Sequence, residues 1–497
     1  MTKNRGSHSG CCGGGLSRRG FLAASGAAAL GPALLSWAGP GAPRGDSGVD
    51  RRIAAAGPGS KYTPVLQAAF VRRREEYGIR WPGAIYDGEA ALKMYNAAII
   101  AEAARLGMKL DLRAEPIHSA EEAGAWIAGA KAAKADGLLV VLLDRQDHAW
   151  PTAYQAAQSG IPSLVFAPVG TAFTTNTAPL AGKTGVFVSS TDDFRQAAYG
   201  LRMIRTGAKL REMRLLVIRG EERKDVTLKP FGTRLRYIPA ADFLAEYTRT
   251  PRTDEIRGLA ADLQRRATGL HGPTGEDVLN GVTSYVTART LIKREQADAI
   301  TMDCLGALGK TKVSLPCIAW SVMNDHGLPA ACEADLGPAL THALVQSLFD
   351  RPGFQQDPVP DTSEECLIGA HCSCPTRLSG FDAPPEPFDL THHHGKRDAV
   401  PRPVWKVGQR ITVAQIVLPE EKEGRESGPE MVISSGAVVK NVSVPPSGGC
   451  VVSVMVRLDG VKDLLAYPGF HQLFFYGDYK KEVAAYGRLY GIKPVVV

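Results

Sequence analysis

Residues 108–143 read MKLDLRAEPIHSAEEAGAWIAGAKAAKADGLLVVLL. The string opens on a short run, Met108–Leu112, crosses a stretch with helical spacing, Ala120–Ala135, and closes on six consecutive apolar residues, Leu138–Leu143. A period that switches from strand-like to helical and back marks a βα unit. The pattern extends in both directions. Ala90–Gly107 carries Ala, Ile and Leu at helical spacing, and Ile161–Ala167 and Thr184–Val188 are further short apolar runs bounded by Gly or Pro. Residues 61–189 are therefore expected to form a small parallel sheet wrapped by helices.

A second set follows over 190–350. Met213–Ile218, Ala299–Met302 and Leu315–Trp320 read as buried strands and Gly281–Arg294 as a helix. After about residue 400 the helical period disappears. Arg410–Val417, Glu430–Ile433 and Cys450–Leu458 alternate or run apolar between Gly/Pro turns, as antiparallel strands do. The end returns to α/β, with Gln472–Tyr476 as strand, Tyr479–Tyr490 as helix and Lys493–Val497 as strand. The expected class is α/β: two doubly wound α/β domains, then a C-terminal antiparallel β-barrel-like domain over 351–497 with a closing α/β element.

The N-terminus reads as an address. Ser17-Arg18-Arg19-Gly20-Phe21-Leu22 precedes a weakly apolar, acid-free stretch through Trp37 and small residues up to Ala42. That layout predicts a twin-arginine signal over 1–43, a linker over 44–60 and a product in the periplasm or otherwise outside the cytoplasm. Cys11 and Cys12 stand before the apolar stretch, whereas a lipid-anchor cysteine follows it. Four of the seven net positive charges, on Lys3, Arg5, Arg18 and Arg19, belong to this leader. The remainder is nearly neutral and shows no basic stripe interleaved with aromatics, which argues against a nucleic-acid partner. No further stretch has the roughly 18 apolar residues of a membrane span.

The nine cysteines are odd in number and lack the dense spacing of a disulfide framework. Cys372 and Cys374 flank one residue and, with Cys366, form part of a soft-metal pattern that no second pair completes. Neither a Walker segment, a dinucleotide fingerprint nor a Gly-x-Ser-x-Gly elbow is present, so phosphate-loop chemistry and serine hydrolysis lack support.

Several side chains carry other chemistry. Glu333 and Asp335 stand immediately before a helix with Leu340, Leu344 and Leu348 on one face and Pro338 in its first turn. Strand-to-helix junctions are where α/β proteins place ligand groups. Downstream come Asp357, before Pro358 and read as a turn residue, then a strand Glu365–His371, and later His471 before the apolar run Gln472–Tyr476. Asp303 follows the strand Ala299–Met302, and His394 lies in the His-rich loop His392–Lys396; both are placed to line the same cleft. Singly, each reads as a cap, a turn or a structural histidine.

Together they carry a resemblance. Ala331-Cys332-Glu333-Ala334-Asp335-Leu336 resembles the Glu-x-Asp segment of the fucose isomerases and the Ala-Glu-Gly-Asp segment of the arabinose isomerases, families in which that Glu is a metal ligand. The second acidic ligand of the fucose isomerases stands 24 residues beyond the first, which here is Asp357. Gly369-Ala370-His371 resembles the arabinose isomerase segment that carries a metal-site histidine. Both families place a ligand His shortly before a strand, a helix and a closing apolar strand, as His471 is placed here. The resemblance covers roughly residues 296–497. It departs at Tyr467, where the fucose isomerases have an Asn, and in the segment before Glu333, which lacks their Gln-containing sugar-binding stretch.

The resemblance implies a divalent-metal-dependent aldose–ketose isomerase working through a cis-enediolate. Glu333 and Asp357 would be both ligands and proton carriers, His471 a ligand, and His371 a fourth or outer-shell ligand. Mixed oxygen and nitrogen donors suit Mn²⁺, with Mg²⁺, Co²⁺ or Fe²⁺ as alternatives. Asp303, Asp335, His394 and Tyr467 would contact the sugar, and the relatives suggest a homo-oligomer, trimer or hexamer. Two other readings fit the same residues: an exported sugar-binding protein with no metal, or an epimerase, lyase or hydrolase on the same scaffold.

Overall fold

The computed structural model describes residues 53–74, 87–145, 148–393, 396–419, 428–443 and 451–497. The expectations for the leader 1–43, for Cys11, Cys12 and Cys450, and for His394 lie outside these residues. Within them the first sheet has five parallel strands: β1 (Val65–Val71), β2 (Lys109–Leu112), β3 (Gly137–Leu142), β4 (Ser163–Ala167) and β5 (Val186–Ser190). Their order is β2-β1-β3-β4-β5. The apolar run Leu138–Leu143 falls on β3, buried along its whole length because a central parallel strand is covered on both faces.

Chain order continues with β6 (Arg214–Ile218), β7 (Lys224–Leu228), β8 (Thr233–Ile238), β9 (Leu270–His271), β10 (Ala299–Met302) and β11 (Ala330–Cys332). Five of them form the second sheet, β11-β10-β6-β8-β7, parallel except for the edge hairpin of β7 on β8. The last part contains β12 (Phe354–Asp361), β13 (Cys366–His371), β14 (Phe388–His393), β15 (Arg397–Pro403), β16 (Arg410–Val417), β17 (Glu430–Val442), β18 (Val452–Leu458), β19 (Gln472–Tyr476) and β20 (Lys493–Val496). Six of these, β16-β19-β12-β13-β18-β17, are antiparallel neighbours, and the β16–β17 pairing closes them into a barrel. The chain is thus mixed α/β, with two parallel-stranded sheets and a closed six-stranded antiparallel barrel.

Strand alternation ties these layers together. In β19, Phe474 and Tyr476 join one core while Leu473 and Phe475 join another; in β16, Ile411 and Val413 divide from Ala414 and Ile416 in the same way. The first set fills the barrel, and the second packs against the buried helix Leu336–Phe349 and the helix Lys480–Leu489.

Four expectations need correction. Leu315–Trp320 is not a strand: from Cys317 the chain is helical to Asp325, buried through most of its turns. The linker reading fails over Pro58–Lys61, a helical turn whose Gly59 and Ser60 amides donate to the buried carboxylate of Asp298. Asp357 is no turn residue but lies within β12, paired with Ala370. Finally, His392 and His393 of the expected loop end strand β14, while β20 closes the chain after a helix, as expected, and adds to the barrel as a parallel neighbour of β17.

Candidate metal centre

The site is assembled where the short buried strand β11 runs into the helix Leu336–Phe349. Asn324 brackets Ala330 with two side-chain hydrogen bonds, and Gln355 of β12 accepts from the Cys332 amide at 2.9 Å. That last contact fastens the end of β11 to the barrel. The chain then turns through Glu333 (φ 64°) and Ala334 (φ 54°), both in the left-handed region, before Asp335 caps the helix by accepting from Gly337 N. A side chain at position 337 would meet the Ile416 carbonyl at 2.5 Å, so the glycine lets the helix start pressed against β16. His471, directly before β19, also has a positive φ of 56°. Backbone of this kind costs on the order of 1–3 kcal/mol per residue and persists where the surroundings enforce it, often at functional sites.

These constraints bring three side chains, Glu333, His371 and His471, to one point, with Asp357 beside His471. One ligand atom from each of Glu333, His371 and His471 lies within 4.8 Å of the other two. His471 Nε2 is 3.4 Å from Glu333 Oε2 and 3.2 Å from Asp357 Oδ1, while His371 Nε2 is 3.8 Å from Glu333 Oε1. Behind this group, Asp335 Oδ2 is 2.9 Å from His471 Nδ1, which assigns that nitrogen the proton and leaves Nε2 facing the carboxylates. The histidines are buried and the carboxylates half-buried.

The electrostatics fit a shared cation. Asp357 Oδ1, His471 Nε2 and both nitrogens of His371 are buried without a hydrogen-bond partner. Orphaned buried polar atoms are rare, and a set of them converging from three strands is the arrangement a metal ion satisfies. Burial works against charge on His471, but the Asp335 hydrogen bond and the Asp357 and Glu333 carboxylates outweigh it and raise its pKa to about 9. His371 is driven the other way: burial lowers it to about 4, so its ring is neutral and free to ligate. Burial also raises the Glu333 carboxyl, with His471 pulling it down and Asp357, Asp335 and Asp303 pushing it up. Glu333, Asp357, His371 and His471 therefore form a mixed oxygen/nitrogen donor set that could hold a divalent ion.

The remaining candidates fall elsewhere. Asp335, expected to touch a sugar, is occupied with His471 and the helix cap. Tyr467 is mostly buried with its hydroxyl 2.6 Å from Ser434 Oγ, a bond that, with burial, keeps it from presenting that group outward. Asp303 caps the short helix Cys304–Leu308 through Gly306 N and reaches the site as a charge acting on Glu333. His392 and His393 are not loop residues but the end of β14, and the His393 charge is felt by His371. The three thiols of the partial soft-metal pattern diverge: Cys366 toward Glu364 O, Cys374 toward Pro375 O and Trp405, and Cys372 toward Cys317.

Three residues of the site were not singled out from sequence: Gln355, Gln356 and His342. For the glutamines, two adjacent amides between Phe354 and Asp357 were the available signal. His342 lies buried in the helix Leu336–Phe349, held neutral by burial and by His371, with a pKa near 3.

No protein-family model matches the chain, and no curated protein does. Among solved structures, an ABC transporter solute-binding protein from Burkholderia multivorans is similar over 48% of this chain and 80% of its own, at 12% identity. Its TM-score of 0.17 is too low to bear on fold or function.

Proposed function

We propose that the protein is a divalent-metal-dependent aldose–ketose isomerase acting on a free monosaccharide, built like the fucose and arabinose isomerases. The observation that carries this reading is the convergence of Glu333, Asp357, His371 and His471, with unpartnered atoms of three of them turned toward a common point. An ion held there supplies Lewis-acid polarisation of the sugar carbonyl and stabilises the negative charge of an enediolate. Glu333 and Asp357 act as the acid–base pair. A carbon-bound proton leaves C2 for one carboxylate and a proton is returned to C1, while the hydroxyl proton passes from O2 to O1. The raised carboxyl of Glu333 suits it to exchanging protons nearer neutral pH than an ordinary glutamate. His471, fixed by Asp335, and His371 hold the ion rather than move protons.

The leader supports export through the twin-arginine route, and we propose a periplasmic enzyme that assembles as a trimer or hexamer, as the resembled families do. No described helix is long and apolar enough to cross a membrane. The test is a panel of pentoses, hexoses and deoxysugars incubated with Mn²⁺-loaded protein in D₂O and followed by NMR. Deuterium at C1 or C2 with ketose appearing is expected, reduced roughly 10²–10⁴-fold in Glu333→Gln and Asp357→Asn. Sugar binding without exchange, unaffected by chelator, would instead mark a binding protein, and near-native turnover by both variants would remove the acid–base assignment.

A further inference from the structure

His471 has a visible partner behind its metal-facing nitrogen; His371 has none. The ladder of β13 on β18 pairs Leu367, Gly369 and His371 with Val456, Val454 and Val452, and those three valines line the barrel core. His371 therefore points to the inner face of the barrel, on the same side as Gly369. From β12, Phe354 and Gln356 alternate onto that face, Phe354 within the same core. A Cβ on Gly369 would stand 3.0 Å from both Cγ and Oε1 of Gln356, so the glutamine side chain lies across the glycine, two residues from His371. Gln356 is fully buried, and neither its Oε1 nor its Nε2 has a partner.

Two fully desolvated polar groups, side by side and both unsatisfied, cost free energy unless they satisfy each other or share an ordered water. We infer that Gln356 is the positioning residue of His371, its amide oxygen accepting from His371 Nδ1 through one ordered water, so that Nε2 is left for the metal. Gly369 is part of the device, because a Cβ there would meet Phe474 at 2.5 Å and crowd the Gln356 amide at 3.0 Å. The arrangement mirrors Asp335 behind His471, with a neutral amide in place of the carboxylate.

This inference rests on the metal-centre reading and is tested by a double-mutant cycle on Mn²⁺ affinity, measured calorimetrically on the chelator-stripped full chain. Gln356→Leu is expected to weaken Mn²⁺ binding about 10–100-fold. In a His371→Ala background the same substitution is expected to change affinity less than about twofold, because the residue it acts through is gone. Gln356→Met serves if the leucine variant unfolds, and thermal unfolding of each metal-free variant reports the fold. Equal losses in both backgrounds would make Gln356 merely structural and overturn the inference, as would unchanged affinity in the single variant. Wild-type protein that binds no Mn²⁺ would overturn the metal-centre reading itself, and this inference with it.

Discussion

His471 is the residue at which structure and chemistry are most tightly joined. In the metal-free protein its folded pKa of about 9 lies above the ordinary histidine value of about 6.5. The stability its charge contributes is therefore fully present below about pH 6.5 and lost as pH rises through about 9. A metal competes with that proton. Mn²⁺ affinity is expected to climb between pH 6.5 and 9 and to level off above, measured by calorimetry in buffers of equal ionic strength; a flat profile would show that His471 is not a ligand. Asp335→Asn, which keeps the shape but removes the charge holding Nδ1–H, is expected to cost about 10–100-fold in affinity and to lower the His471 pKa, read from its ring NMR signals. At this scale the sequence was informative about residue type and spacing: Glu333, Asp357 and His471 were named through the order and spacing that resemble those of the fucose and arabinose isomerases. It was silent about direction. Nothing in Glu-Ala-Asp says that the second acid turns back to a histidine 136 positions later, and a buried glutamine gives no sign in sequence of what it lacks.

Elements position the site through the join between β11 and the barrel. Gln355 holds the Cys332 amide there, and a Gln355→Leu substitution leaves that buried N–H without an acceptor. The expected cost is about 1–3 kcal/mol by chemical denaturation, accompanied by weaker metal binding because Glu333 follows Cys332 directly. Stability unchanged would mean that the β11 end is held by packing alone. The errors made at this scale share a cause. Leu315–Trp320 has no polar residue, and a short apolar run does not distinguish a buried strand from the first turn of a buried helix. Pro58–Lys61 read as linker because its order comes from the distant Asp298. Asp357 before a proline read as a turn because local preference cannot register strand pairing with β13.

At the scale of the molecule, the barrel supplies His371, Asp357 and His471 while the second sheet supplies Glu333 and Asp335, so an ion at their meeting point ties the two together. Metal should then stabilise the fold by linkage: at free Mn²⁺ a hundred times its Kd the gain is about 2.7 kcal/mol. A rise in the thermal unfolding midpoint, reversed by chelator, is the expected result, and no rise at saturating Mn²⁺ would contradict it. The α/β alternation and the late β-rich part were legible because their periods differ, 3.6 against 2. A barrel-like end was legible too, but not which strands close it, since the β16–β17 contact is a matter of curvature and register rather than of pattern. β1 also escaped, its centre diluted by Gln67-Ala68-Ala69, although it is buried between β2 and β3.

The most direct measurement is an anomalous-difference map at the manganese edge from crystals of the full-length protein grown with Mn²⁺. One strong peak per chain, within coordination distance of Glu333, Asp357, His371 and His471, is the outcome this structure leads us to expect. A map with no peak among those four side chains, or with the ion bound elsewhere, would contradict it.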